Sequence, residues 1–275
     1  MNEFRRTDTG TRLSDVRLHE LGILPQQDQP PFDIVGDVHG CIDELRELLR
    51  LLGYKPAGEG YAHPEGRRLI FVGDLVDRGP GSVDVLRIVL AMRDAGTGLN
   101  VMGNHDMKFW RWLRGRRVHI AFGLQRTISE VEALPVLQRD AFTRQLEALF
   151  DATPGYLILD AGRLVVTHGA IFDWMIGGWD HEIAHICMYG DVIGHTEHGK
   201  PIRRDWAALR DLEAVGGEDA PLIVYGHNVV DELRWVNRTI DIDTGCVYGG
   251  ALSALRYPER GLVQVAAYHT YARRL

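Results

Sequence analysis

Five short apolar runs in this sequence each lead into small residues and then into a side chain that could hold a metal ion or move a proton. Phe32–Val35 leads into Gly36-Asp37-Val38-His39-Gly40, and Leu69–Val72 leads into Gly73-Asp74-Leu75-Val76-Asp77-Arg78-Gly79. Leu99–Met102 runs into Gly103-Asn104-His105-Asp106, Leu164–Val166 into Thr167-His168-Gly169, and Leu222–Tyr225 into Gly226-His227. An ionised carboxylate or bare imidazole at the end of a buried strand is costly without a partner. A metal ion is such a partner. Aspartate, histidine and an asparagine oxygen together suit hard or borderline divalent ions such as manganese, iron, zinc or nickel, rather than copper or an iron–sulfur cluster.

The runs that carry these residues read as strands, and in open α/β sheets ligands collect outside the carboxyl ends of strands. Helices are expected between them. Ile42 to Leu52 repeats apolar residues on one face and is stopped by Gly53, and Ser82 to Asp94 does the same with Val83, Leu86, Val89 and Leu90. A helical stretch is expected from Asn104, with further helices near 125–134 and 138–151. Tyr54 to Gly66 reads as loop, and Gly79-Pro80 as the turn that starts the second helix. The second half is richer in strands: a hairpin at Tyr156–Leu159 and Arg163–Thr167, then Leu222–Tyr225, Thr239–Ile242, Ala251–Arg256 and Leu262–Ala266, with a partly helical segment over 171–212. The pattern predicts an α/β protein of two packed sheets with helices outside. Residues 1–31, ending in Pro25, Pro30 and Pro31, read as a flexible leader.

Composition narrows the function classes. A net charge of −7 argues against a general nucleic-acid binder, whose affinity rests on many cation–phosphate contacts. It leaves room for a local positive site that takes a small phosphorylated ligand. The three cysteines, Cys41, Cys187 and Cys246, have no paired spacing and predict reduced thiols in a cytoplasmic protein. No apolar run approaches the roughly 20 residues of a membrane span.

Taken in order, GDVHG, GDLVDRG, GNHD, His168-Gly169 and Gly226-His227 resemble the calcineurin-like metallophosphoesterases, in particular their phosphoprotein phosphatase branch. The resemblance covers about residues 32–266. It is closer still to small bacterial phosphatases that also split diadenosine tetraphosphate, and to the phosphatase module of bacterial polynucleotide kinase–phosphatase. The stretches HPEGRRLIFVGDLVDRGP, NRTIDIDTGC and ALRYPER carry that likeness. No GxxxxGKS or GxxxxGKT phosphate loop is present, so no kinase module is expected.

The resemblance implies a four-layer α-β-β-α sandwich of two mixed sheets over residues 32–270, with variable cap segments near 106–153 and 171–215. It implies phosphoester hydrolysis at a dinuclear centre, where a metal-bound hydroxide attacks phosphorus. Asp37, His39 and Asp74 would hold one ion. Asp74 would bridge to a second held by Asn104, His168 and His227. Manganese is the first expectation for both ions, with iron, zinc, nickel or cobalt as alternatives. His105 would protonate the leaving group, Asp77 would orient His105, and Arg78 and Asn104 would meet the substrate phosphate. Arg203 is a candidate for a second phosphate-binding arginine. The expected substrate is a phosphoprotein bearing phosphoserine, phosphothreonine or phosphotyrosine. Diadenosine tetraphosphate hydrolysis and nucleotide 2′- or 3′-end phosphatase activity are the alternatives. No membrane partner and no stable nucleic-acid complex are expected. The sequence departs from the family pattern at His168-Gly169-Ala170 and at Gly226-His227-Asn228-Val229, where relatives often carry Gly-His-Thr-Pro.

Other features compete with this reading. His181-Glu182-Ile183-Ala184-His185 matches the HExxH pattern of zinc proteases but lacks a downstream third ligand. Asp243-Thr244-Gly245 resembles half of an aspartic-protease pair and reads as structural. Asp106 has no assigned role. Lys108 to Arg117, KFWRWLRGRR, reads as an amphipathic helix with arginine stems over its edge, and as the place to seek base contacts if nucleotides are substrates. A non-catalytic scaffold that binds metal and phosphate is the remaining alternative.

Overall fold

The computed structural model describes residue 29 and residues 31–274, so the expected leader lies almost wholly outside the described residues. The first half runs β1 (Phe32–Val35), α1 (Ile42–Leu52), β2 (Lys55–Ala57), β3 (Gly60–Ala62), β4 (Arg68–Phe71), α2 (Ser82–Asp94) and β5 (Gly98–Asn100). Three helices follow: α3 (Asn104–Leu113), α4 (Leu124–Glu132) and α5 (Val136–Ala152). The second half runs β6 (Tyr156–Leu159), β7 (Leu164–Thr167), α6 (His181–Tyr189), β8 (Val192–His195) and β9 (Pro201–Arg203). It ends with β10 (Leu222–Tyr225), β11 (Trp235–Val236), β12 (Thr239–Asp241), β13 (Ala251–Tyr257) and β14 (Gly261–Ala266).

Two five-stranded sheets form, in the orders β14-β13-β1-β4-β5 and β11-β12-β10-β7-β6. Both are mixed. β1, β4 and β5 run parallel, while β13 is antiparallel to β1 and β14. β7, β10 and β12 run parallel, flanked by antiparallel β6 and β11. Side chains alternate across each strand, which separates the layers. Phe32 and Ile34 of β1 meet Leu222 and Val224 of β10 in the core between the sheets. On the far face of the first sheet, Val35 and Phe71 pack with α1 to α5. On the far face of the second, Val165 and Ile223 pack with Ile183 and Cys187 of α6 and with Trp206. The result is the four-layer α-β-β-α sandwich.

The helices form where periodicity placed them. Gly53, at φ 95°, ends α1 in a left-handed cap. Three local readings change. Residues 54–66 hold the β2–β3 hairpin, whose short, glycine- and proline-bearing strands conceal it in sequence. β5 stops at Asn100, because Val101 still bonds to Phe71 but the Met102 amide turns to the Pro154 carbonyl. Pro80 does not begin α2. That helix starts at Ser82, because Gly79 and Gly81 donate back to the His39 and Gly40 carbonyls and pin the first ligand loop.

Asp33, fully buried in β1, is held by Arg67 (Nε to Oδ2 3.0 Å) and by Arg256 (Nε to Oδ1 3.0 Å). Arg67 also donates to the Phe32 and Tyr257 carbonyls, which ties β1 and β13 together at the end away from the ligand loops. The three cysteines are free and buried. No helix among the described residues is long and apolar enough to cross a membrane.

Candidate active site

Every sequence-assigned site residue but one sits on a loop leaving a strand or at the first turn of α3. The loops are tight enough to require unusual backbone. His39 (φ 45°), Asp74 (φ 49°), Asp77 (φ 76°), Arg78 (φ 71°) and His227 (φ 73°) all occupy the left-handed region. Each such non-glycine residue costs on the order of 1–3 kcal/mol, a cost that clusters where geometry is used for function. Gly226 serves close approach: a Cβ there would stand 2.2 Å from Asp37 Oδ1.

Asp74 lies at the centre. Donor atoms of His39, Asp74 and His105 lie within 4.8 Å of one another, and so do those of Asp74, His168 and His227. Asp74 is common to both groups. His39 Nδ1 lies 2.8 Å from the Val76 carbonyl, and His168 Nδ1 lies 2.9 Å from the Val72 carbonyl. A carbonyl only accepts, so both rings carry their proton on Nδ1 and turn an Nε2 lone pair into the site. His168 Nε2 faces Asn104 Oδ1 at 3.1 Å, His227 Nδ1 at 3.1 Å and Asp74 Oδ1 at 3.4 Å. Asp37 falls outside both groups; its carboxylate takes the His227 amide at 3.2 Å.

The electrostatics point the same way. Burial, then the nearby Asp243, Asp74 and Asp241, push the Asp37 carboxyl well above its ordinary value. Burial pushes His39 and His227 well below theirs, which keeps both imidazoles neutral. Neutral rings, crowded carboxylates and the Nε2 lone pairs of His39 and His168 turned into one site are groups that a divalent cation satisfies together. The residues present fit divalent metal ions.

Beside this cluster, His105 Nδ1 lies 2.6 Å from Asp77 Oδ2. The other Asp77 oxygen accepts the Thr127 hydroxyl at 2.7 Å, and the Asp77 amide lies 3.0 Å from the same hydroxyl oxygen. Thr127, fully buried in α4, thus clamps the carboxylate that orients His105. Sequence reading missed it, since nothing local marks a helical threonine 50 residues downstream. Asp106 belongs to neither ligand group. It accepts the Leu75 amide at 2.9 Å and the Gly103 amide at 3.3 Å, joining the β4 loop to the start of α3.

A cleft of about 1090 Å³ opens over these groups, lined by Asp74, Arg78, Asn104, His105, Arg203 and His227. Arg78 contacts His39 Nε2, and its guanidinium lies 5.4 Å from the Tyr248 ring centre. Arg203, the residue away from the strand-end loops, comes in on β9. It donates to the Tyr189 carbonyl at 2.8 Å and places Nη2 2.8 Å from His227 Nε2. Asp243 was read as structural. It does accept the Gly245 amide at 3.0 Å, but it also lines the cleft, and burial chiefly, then Asp74, raises its carboxyl to about 6.

Two stretches fall outside the site. His181 and His185 form one exposed face of α6 and join no metal-competent group among the described residues. The KFWRWLRGRR aromatics are drawn inward: Phe109 and Trp110 are buried in the core, half-buried Trp112 stacks on Phe109, and Arg114 packs on Trp110 while pairing with Asp151.

Comparison with known proteins identifies the family. The calcineurin-like phosphoesterase family model matches residues 30–231. The asymmetrical bis(5′-nucleosyl)-tetraphosphatase PrpE of Halalkalibacterium halodurans is 44% identical over 85% of this chain and 93% of its own length. Its Bacillus subtilis counterpart is 42% identical over 87% and 96%. Among solved structures, a candidate diadenosine tetraphosphatase aligns with a TM-score of 0.63 at 23% identity, over 90% of this chain and 97% of that one. A cold-active protein-tyrosine phosphatase from a Shewanella species aligns at 0.54 and 20%, over 92% and 82%. Those two share the fold. With a family model across most of its length and relatives this similar end to end, the chain belongs to the calcineurin-like phosphoesterases and is a phosphoric ester hydrolase.

Proposed function

We propose that this protein is an asymmetrical bis(5′-nucleosyl)-tetraphosphatase, which adds water across one phosphoanhydride bond of diadenosine tetraphosphate to leave a nucleoside triphosphate and a monophosphate. The observation that carries this reading is the 44% identity to the Halalkalibacterium halodurans enzyme across 93% of its length. It favours the dinucleotide over the phosphoprotein substrate that the family resemblance put first. It also favours turnover over a metal-binding scaffold, since no position of the acid pair or the candidate ligand set is degraded.

Asp37, His39, Asp74, Asn104, His168 and His227 would hold two divalent ions, manganese first, which supply Lewis acidity to the phosphoryl oxygens and activate a water. The chain's own groups do the rest. Arg78 and Arg203 stand on opposite sides of the ligand cluster, contacting His39 and His227, where planar guanidinium groups meet phosphoryl oxygens. Asn104 and His105 open α3, whose positive end favours the anionic substrate. His105 shares its Nδ1 proton with Asp77, which leaves Nε2 to deliver a proton to the departing phosphate oxygen. Asp77 fixes the orientation of the ring and Thr127 holds Asp77 in place.

The test is incubation with manganese and diadenosine tetraphosphate, beside phosphoserine, phosphothreonine and phosphotyrosine peptides and 2′- and 3′-nucleotides. ATP and AMP in equal amounts are expected by chromatography. Two ADP, or phosphate released only from peptides or nucleotide ends, would overturn the assignment.

A further inference from the structure

The cleft extends well beyond the groups that reach one scissile phosphate. At about 1090 Å³ it exceeds the roughly 300–1,000 Å³ usual for a small-ligand pocket. Its outer walls are cationic although the chain carries a net charge of −7: Arg126 from α4, Lys200 and Arg203 beside and in β9, and Arg273 and Arg274 near the end of the chain all line it. Concentrating positive charge in one cleft of an acidic protein raises the local concentration of a polyanion. Three of these cations are already engaged: Arg126 donates to the Arg78 carbonyl at 3.2 Å, Arg203 to the Tyr189 carbonyl at 2.8 Å, and Arg274 to the Val229 carbonyl at 3.0 Å. Lys200 and Arg273 are exposed and have no ion-pair partner among the described residues.

On the α4 wall stands Phe122. It is 58% exposed, an unusual state for a phenylalanine, and its φ of 61° holds it in the left-handed region. Lys108 braces this loop, donating to the Ala121 carbonyl at 3.1 Å with its ammonium 5.3 Å from the Phe122 ring centre. A ring fixed with a bare face at the rim of a cationic cleft is a stacking platform for a base.

We propose that Lys200 and Arg273 bind the bridge phosphates remote from the cleaved bond, and that Phe122 stacks a base of the dinucleotide. Together they make the cleft selective for a dinucleoside polyphosphate over a phosphomonoester. This rests on the tetraphosphatase reading above. A phosphomonoester has one phosphate, fully served by Arg78 and Arg203. A dinucleoside tetraphosphate carries a negative charge on each bridge phosphate and a base at each end, so only it reaches the outer wall.

The test compares kcat/KM for diadenosine tetraphosphate and for p-nitrophenyl phosphate in the manganese-loaded full chain. In Lys200→Gln/Arg273→Gln, kcat/KM for the dinucleotide is expected to fall about tenfold, chiefly through KM, with a flatter dependence on salt. In Phe122→Ala, KM for the dinucleotide is expected to rise about fivefold or more. The aryl phosphate changes less than twofold in both. Equal losses on the two substrates, or no loss on the dinucleotide, would overturn the selectivity assignment while leaving the tetraphosphatase reading intact. Wild-type protein that turns over p-nitrophenyl phosphate but not the dinucleotide would overturn both.

Discussion

The two aspartates of GDLVDRG look alike in sequence and have different surroundings in the fold. Asp74 stands among His39, His105, His168 and His227, the imidazoles with which it forms both metal-competent groups. Asp77 touches His105 and Thr127. Asp77→Asn is therefore expected to retain bound metal while kcat falls about 10²–10⁴-fold, the range for losing general acid catalysis. Thr127→Val should fall between the wild type and Asp77→Asn, since it frees the carboxylate without removing it. Metal analysis beside steady-state kinetics separates the cases; metal loss in Asp77→Asn would move that residue into the ligand set.

At the scale of elements, β4 and α3 must meet at a fixed offset for Asp74 and His105 to face each other. Asp106 sets that offset by accepting amides from both segments. Its carboxyl is pushed well up by burial, then by Asp74. Asp106→Ala leaves two buried amides without acceptors, at about 1–3 kcal/mol each. A lower melting temperature is expected, together with a reduced kcat and weaker manganese binding, and Asp106→Asn should recover part of each. An unchanged melting temperature in Asp106→Ala would show that the loop and helix hold their register without it.

At the scale of the molecule, the two sheets must stay in register, because His168 and His227 come from one and Asp37, His39 and Asp74 from the other. Beyond apolar packing, a polar link joins them. Asp160, in the turn between β6 and β7, accepts the Tyr257 hydroxyl of β13 at 2.5 Å and Arg163 Nε at 2.9 Å. The Arg163 hydrogen bond holds the Asp160 carboxyl below its ordinary value against the cost of burial, with help from Tyr257. A depressed carboxyl contributes stability that is present above the unfolded-state value and lost as pH falls through the folded one. Arg163→Met should thus lower the melting temperature near neutrality, with the difference shrinking on acidification through the carboxylate range. A difference that grew on acidification would contradict this account.

How much of this was legible beforehand follows from distance along the chain. A strand that ends in glycine and then aspartate or histidine announces its chemistry within eight or so residues, because strand pleat and tight loop fix where those side chains point. The sequence by itself determined the candidate ligands, the His105–Asp77 pairing through family likeness, and the packing of two sheets under outer helices. Only the tertiary structure decided which remote residues complete the site. Thr127 meets Asp77 because α4 packs over the β4 loop. Arg203 meets His227 because the β8–β9 hairpin brings it there. Phe122, Lys200 and Arg273 line one cleft although they are distant in sequence. The buried aromatics of KFWRWLRGRR make the opposite case: their composition fits a nucleic-acid surface, and helix packing turns them into the core. Local pattern fixes what a residue can do, while burial and long-range packing fix what it touches.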